Sequence, residues 1–411
     1  MLKIVIVKFT NCILCDKGRL YPGEDLYVDQ TNGVIIQKPN DESVIDEVID
    51  LEGLIVAPGF IDIQINGCFG FDFCSKDPPE IYLENYHLAM KSLIQTGVTS
   101  ICPTLPSSYS DTYKVALPIL KPSRNCDMTD SLGVHCEGPF ISTAKKGCHP
   151  IGALTEARNE MKDLAKLYNA DGLSKNIRII TAAPEIGGVS SAISNIVKDH
   201  KIVFAIGHTN ADYETGLKAV RQGATMLTHL YNAMTQVHQR KPGIIGLISS
   251  PELARENKLP YFGLIADGVH VHPATVRSAY KICSEKLILV TDAMYLIGLE
   301  NGSYLWGSNN QYIVKEGNHL FLKGTETIAG SATTLLQCLR NIMQWCQLDL
   351  LEAVQFVTNH PAVATSVQDK KGFLNLGCDA DLTILDKDGF VKQVYKLGKK
   401  ISDNSDSYTF S

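Results

Sequence analysis

The chain carries two hydrophobic periods. From residue 54 to about residue 290, short apolar runs rich in Val, Ile and Leu alternate with stretches whose apolar positions recur at helical spacing. The runs predict strands over 54–65, 100–104, 132–136, 177–182, 202–206, 225–230, 263–266 and 287–290. Between them 81–95 reads as a helix, as does the segment that Asn210 would cap and Gly223 would stop. After the eighth strand a polar insertion, 297–327, precedes one more helix over 332–346. Eight such units in roughly 300 residues fit the size and period of an α/β fold of the (β/α)8 barrel type, the TIM barrel. A doubly wound parallel sheet alternates in the same way, and spacing leaves it open.

The two ends read differently. Residues 1–55 hold short alternating runs broken by Gly18, Pro22-Gly23 and Asn32-Gly33, which are hairpin signals. Residues 370–402 repeat the pattern, with a strand over 379–385 and a turn at Asp388-Gly389. The ends are expected to pair as one small discontinuous β-sandwich domain, 1–55 with 363–411, around a barrel of 56–362. The polar tail from Asp403 to Ser411 is expected to fray.

With 411 residues and 45% apolar content, the chain can bury a large core. Its net charge of −6 is spread without blocks, which gives no footprint for nucleic acid or an anionic membrane. A small anionic substrate would then need a local basic pocket. No secretory or membrane-spanning run is evident, so a cytoplasmic location is expected. Twelve scattered cysteines read as reduced and mostly buried. Cys12 and Cys15 lie in a strand-like stretch that would turn them to opposite faces, and no second pair completes a zinc knuckle.

In a βα barrel the reactive groups stand where strands end. Glu137, His208, His229 and Asp292 stand at the ends of the third, fifth, sixth and eighth predicted strands. Two imidazoles and a carboxylate supply the three protein ligands of a catalytic metal and leave a position open, with Asp292 free as acid and base. Singly, each reads as a structural histidine or a helix cap; at four strand ends together they read as a site. Asp62, Gln64 and Asn66 alternate on one face. A two-metal hydrolase would carry a His-x-His pair at 64 and 66, and carboxamides are poor ligands, so a single ion is expected. Their own role is polar packing or the orientation of water or a ligand. His135 shares a strand face with Glu137 and reads as a supporting histidine ahead of a ligand.

Seven motifs occur in order: Pro58-Gly59-Phe60-Ile61-Asp62, His135-Cys136-Glu137-Gly138-Pro139-Phe140, Lys145-Lys146-Gly147-Cys148-His149, Gly207-His208-Thr209, His229-Leu230-Tyr231-Asn232-Ala233-Met234, Asp267-Gly268-Val269-His270 and Thr291-Asp292-Ala293. Together the set resembles the N-acetylglucosamine-6-phosphate deacetylases of the amidohydrolase superfamily, across nearly the whole chain. The resemblance implies the same barrel with a small β domain, one divalent metal ion per subunit, zinc first, and a homodimer. It implies N-acetylglucosamine 6-phosphate as substrate, Glu137, His208 and His229 as metal ligands, and Asp292 as acid/base. His149, beside Cys148, would contact the sugar and polarise the acetyl carbonyl. Asn232 and Ala233 with Arg240 would grip the sugar phosphate, and Asp267, His270 and the segment Ile328, Ala329, Gly330 would touch substrate. Hydrolysis of a different amide, or an inactive barrel serving as a scaffold, are the alternative readings.

Overall fold

The computed structural model describes residues 3–168, 173–306, 311–325 and 328–403. Eight parallel strands form the centre: Phe60–Ile65, Val98–Pro106, Val134–Glu137, Ile177–Ala182, Val203–Ile206, Met226–Leu227, Tyr261–Leu264 and Leu287–Leu289. Neighbours pair in chain order. The ring meets where Asp292 N–H donates to Gln64 carbonyl at 2.8 Å and Asn66 N–H donates to Ala293 carbonyl at 2.7 Å. A doubly wound sheet would leave those edges apart, so the arrangement is a barrel. One buried cluster fills it, with Ile61, Ile63, Ile179, Met226 and Ile288 packed against Ala362 of the helix Asn359–Ala364.

The apolar run at 54–65 is two strands. Ile55–Pro58 joins a six-stranded sheet and Phe60–Ile65 starts the barrel. Gly59 is the pivot: a Cβ there would sit 2.1 Å from Thr99 Oγ1, so only glycine lets the chain cross the second barrel strand. The six-stranded sheet draws Ile13–Asp16 and Arg19–Pro22 from the start of the chain and Leu382–Leu385, Val391–Lys396 and Lys399–Asp403 from its end. It faces a four-stranded sheet of Ile6–Thr10, Leu26–Asp29, Val34–Ile36 and Glu47–Asp50. Phe9 from the second sheet meets Tyr395 from the first edge-to-face, with ring centroids 4.9 Å apart. Cys12 and Cys15 are both buried and enter different core clusters, as their spacing predicts.

Three details differ from the expectation. The helix expected from Asn210 is Tyr213–Gln222, and its cap is Asp212, whose side chain accepts from Thr215 N–H at 2.9 Å. Asn210 N–H is held instead by Glu185 Oε1 at 2.6 Å. The polar insertion carries an antiparallel sheet of Gly302–Trp306, Gln311–Glu316, His319–Leu322 and Ile328–Ser331. Its polarity reflects strands with one solvated face. The helix after it, Leu335–Cys346, starts later than expected, capped by Thr334. The expected fraying of the tail concerns residues 404–411, which lie outside the described residues. Among the described residues, no helix is long and apolar enough to cross a membrane.

Candidate active site

His208, His229 and Asp292 lie two or three residues past the ends of the fifth, sixth and eighth barrel strands, and each has left-handed backbone, with φ of 50°, 30° and 48°. Side chains other than glycine adopt that region at a cost of about 1–3 kcal/mol, and such strain collects at functional sites. Here it bends the chain just beyond the strand ends; the predicted strand 225–230 stops at Leu227, although Thr228 N–H still donates to the Ile206 carbonyl at 3.0 Å and Leu230 N–H to the Gly263 carbonyl at 2.8 Å. Glu137 closes the third strand in ordinary extended register beside Thr181.

Three atoms converge. Glu137 Oε1 lies 3.2 Å from His208 Nε2 and 3.0 Å from His229 Nε2, and the two imidazole nitrogens are 3.0 Å apart. All three side chains are buried. Burial by itself would raise the Glu137 carboxyl, but His208 and His229 override it and hold it well below the usual carboxylate range. His149 is also close, its Nε2 3.9 Å from Glu137 Oε2, and Glu137, His149 and His208 offer donor atoms within 4.8 Å of one another. Proximity therefore admits either trio around a cation.

Hydrogen-bond partners separate the histidines. His208 Nδ1 faces the Lys145 carbonyl at 2.8 Å; a carbonyl only accepts, so Nδ1 carries the proton and Nε2 presents a lone pair. His149 Nδ1 faces the Ser107 backbone N–H at 3.1 Å; an N–H only donates, so the proton of the neutral ring sits on Nε2. Burial, with His208 next, pushes the His149 imidazole down to about 3, so it is neutral. His149 thus offers a donor where a ligand would need a lone pair. His135 is committed on both sides, with Nδ1–H to the Ile63 carbonyl at 2.9 Å and Nε2 accepting from Thr181 Oγ1 at 2.7 Å. With His149 presenting a donor, Glu137, His208 and His229 remain beside one another, two imidazoles and a carboxylate, the composition of a three-ligand catalytic site; His229 Nδ1 is buried and meets no partner among the described residues.

The first strand reaches the same place. Gln64 Nε2 donates to Glu137 Oε1 at 2.8 Å, and Asn66 Nδ2 donates to Asp292 Oδ1 at 2.8 Å. Asp62 turns elsewhere, accepting from Thr291 Oγ1 at 2.6 Å and from Gln64 N–H at 3.1 Å. Desolvation, then the Glu137 carboxylate, pushes the Asp292 carboxyl up to about 6.

The other candidate residues lie on loops around this centre. The strand Ile328–Ser331 is bridged to Ala293, and Cys148 Sγ lies 3.7 Å from the Ile328 carbonyl. Ala329 is buried, while Ile328 and Gly330 are partly exposed. The Ala233 carbonyl accepts from Thr209 N–H at 3.1 Å, and the buried Nδ2 of Asn232 meets no acceptor among the described residues. Asp267 Oδ2 accepts from His270 Nδ1 at 2.6 Å, while its Oδ1 accepts from the backbone of Val269 and His270. Arg240 is exposed at a turn where His238 and Lys241 pair, and its N–H donates to His238 Nδ1 at 3.3 Å. Ser107 and Thr181, and the part that the Lys145 carbonyl plays, escaped the sequence reading although they fix histidine protons. Two act through backbone atoms, which leave no trace in residue type.

A barrel with a carboxylate and two imidazoles at its strand ends defines a class of hydrolase, and the chain belongs to the amidohydrolase family, whose model matches residues 55–401. Within that family it belongs with the N-acetylglucosamine-6-phosphate deacetylases. It is 38% identical to the deacetylase of that name from Caenorhabditis elegans over 405 residues, 96% of this chain and 94% of the relative. It is 36% identical to the one from Homo sapiens over 402 residues, 96% of this chain and 95% of the relative. The solved structure of the Pasteurella multocida deacetylase superposes with a TM-score of 0.83 at 27% identity, covering 97% of this chain and 100% of that one.

Proposed function

We propose that the protein hydrolyses N-acetyl-D-glucosamine 6-phosphate to D-glucosamine 6-phosphate and acetate, with Glu137, His208 and His229 holding one divalent ion. The observation that carries the reading is the sorting of two imidazoles: His208 turns a lone pair on Nε2 toward Glu137, while His149 presents an N–H. When bound, the ion, zinc first, supplies Lewis acidity, polarising the acetyl carbonyl and lowering the pKa of a water toward about 7.

The chain's own groups do the rest. The Asp292 carboxylate takes a proton from the attacking water as its oxygen bonds to the acetyl carbon. His149 Nε2–H donates to the carbonyl oxygen, where negative charge grows in the tetrahedral intermediate. Asp292 then returns the proton to the sugar nitrogen as the C–N bond breaks, leaving the amine and acetic acid, which gives up its proton at neutral pH and departs as acetate. Arg240, with the backbone at Asn232 and Ala233, offers a guanidinium and N–H donors to the phosphate. Asp267 fixes the ring of His270, and Ile328 to Gly330 with Cys148 border the sugar. The division into 1–55 with 363–411 and 56–362 belongs to the same proposal and is supported by the sheet built from both chain ends. A homodimer and a cytoplasmic location rest on resemblance and on the sequence alone.

The test is acetate release from N-acetylglucosamine 6-phosphate, from its galactosamine epimer and from the unphosphorylated sugar, on metal-stripped and zinc-reloaded protein. Zinc-dependent turnover that prefers the phosphorylated glucosamine sugar supports the reading. Metal-bound protein that releases no acetate from any of them overturns it.

A further inference from the structure

The proposed reaction leaves two buried or half-buried polar side chains without a task, Gln64 and Asn66. Each sits at a strand-one position where a two-metal enzyme would place an imidazole, and each spends its NH2 on a different carboxylate. Gln64 reaches Glu137, and Asn66 reaches Asp292. Gln64 lies 73 residues from its partner and Asn66 lies 226 from its own, and in both cases the amide oxygen is turned away from the carboxylate. The barrel closes through the same residues, since Gln64 carbonyl and Asn66 N–H carry the hydrogen bonds to Asp292 and Ala293 just past strand eight. The backbone that closes the ring therefore also sets where both amides point.

We propose that the two carboxamides are positioning residues with separate tasks: Gln64 holds Glu137 in its metal-binding pose, and Asn66 occupies Asp292 Oδ1 so that Oδ2 carries the proton. This inference rests on the reading of the reaction given above. With Oδ1 committed, the proton released as the water O–H bond breaks forms its new bond at Oδ2. That bond breaks in turn when the sugar nitrogen gains the proton and the C–N bond opens. The carboxylate begins and ends the cycle ionised. Asn66 Oδ1 is buried and meets no donor among the described residues, so the amide keeps an acceptor for a donor that arrives with water or substrate. Gln64 works earlier. A carboxylate gripped through one oxygen loses less freedom when it binds an ion, and partners of this kind change metal affinity by roughly 10- to 100-fold.

The two tasks predict opposite signatures in Gln64→Ala and Asn66→Ala, measured on the full-length protein. Gln64→Ala should bind zinc on the order of 10-fold or more weakly in a chelator competition, and recover most of its kcat once saturated with zinc. Asn66→Ala should bind zinc as the parent does and keep its KM, but lose on the order of 100-fold in kcat, the cost of a misdirected reacting group. In the Asp292→Asn background, Asn66→Ala should cost nothing further, because groups that act as one unit are not additive. Asn66→Gln, which keeps the donor, should recover part of the rate. A merely structural role would instead raise KM, lower zinc content or add its loss to that of Asp292→Asn, and any of these overturns the proposal. If the parent releases no acetate, the reading of the reaction fails, and zinc affinity alone still decides: unchanged affinity in Gln64→Ala overturns the inference.

Discussion

Lys396 Nζ lies 2.6 Å from Asp130 Oδ2, and neither side chain has any exposed surface. Lys396 ends a strand of the six-stranded sheet, whereas Asp130 precedes the third barrel strand in a short strand paired with the second. Asp381 Oδ2 is equally close to Lys396, and Lys371 binds Asp130, Asp379 and Asp381 at 2.6 to 2.8 Å. A buried ionic cluster thus joins the terminal sheet to the barrel wall, and these aspartates, although close enough to suggest a cation site, are filled by ammonium groups.

Removing one partner of such a cluster strands a buried charge. Lys396→Met is expected to lower the unfolding free energy by about 3–5 kcal/mol in urea titration. The zinc-loaded protein that stays folded should keep its kcat. An unchanged midpoint would mean that the cluster adds no stability.

The same cluster sets an acid limit. Burial alone would raise the Asp381 carboxyl, but Lys371 and Lys396 override it and hold it well below the ordinary range. Its folded pKa lies below its unfolded value, so the unfolded chain binds the proton more readily. The stabilisation is complete above about pH 4 and is lost as pH falls from there toward the folded value. Thermal midpoints of the parent should therefore drop more steeply below about pH 4 than those of Asp381→Asn; parallel curves would contradict this.

Two trios could surround the ion by distance, and zinc content separates them. His229→Ala and His208→Ala should lose bound zinc, whereas His149→Ala should retain one ion per chain and lose turnover. Zinc bound normally by His229→Ala, and lost from His149→Ala, would reverse the assignment drawn from the Ser107 and Lys145 contacts.

Asp292→Asn should keep its zinc and fall in kcat by about 100- to 10,000-fold, the range that a positioned acid/base contributes. A variant retaining substantial rate would need another base.

Arg240→Ala should weaken use of the phosphorylated sugar far more than use of the unphosphorylated one. Equal losses on both would remove Arg240 from the phosphate grip. Because the side chain is exposed, stability should stay within about 0.5 kcal/mol of the parent.

The sequence by itself determined the alternation of strands and helices, the pairing of the chain ends and the residues at the strand ends, because these depend on local period and residue type. Glu137, His208, His229 and Asp292 were legible for that reason. Strand limits were less so: Gly59 divides one apolar run because of Thr99 on the neighbouring strand, and the backbone of His229 bends another just beyond its strand end. Only the tertiary structure shows which ring nitrogens of His208 and His149 can offer a lone pair. That choice depends on which ring nitrogen holds the proton, and the proton follows partners such as Lys145 carbonyl and Ser107 N–H, 63 and 42 residues away. Backbone donors and acceptors are the same for nearly every residue, so their effect on a distant ring is set by where the fold places them and by nothing written in the residue itself.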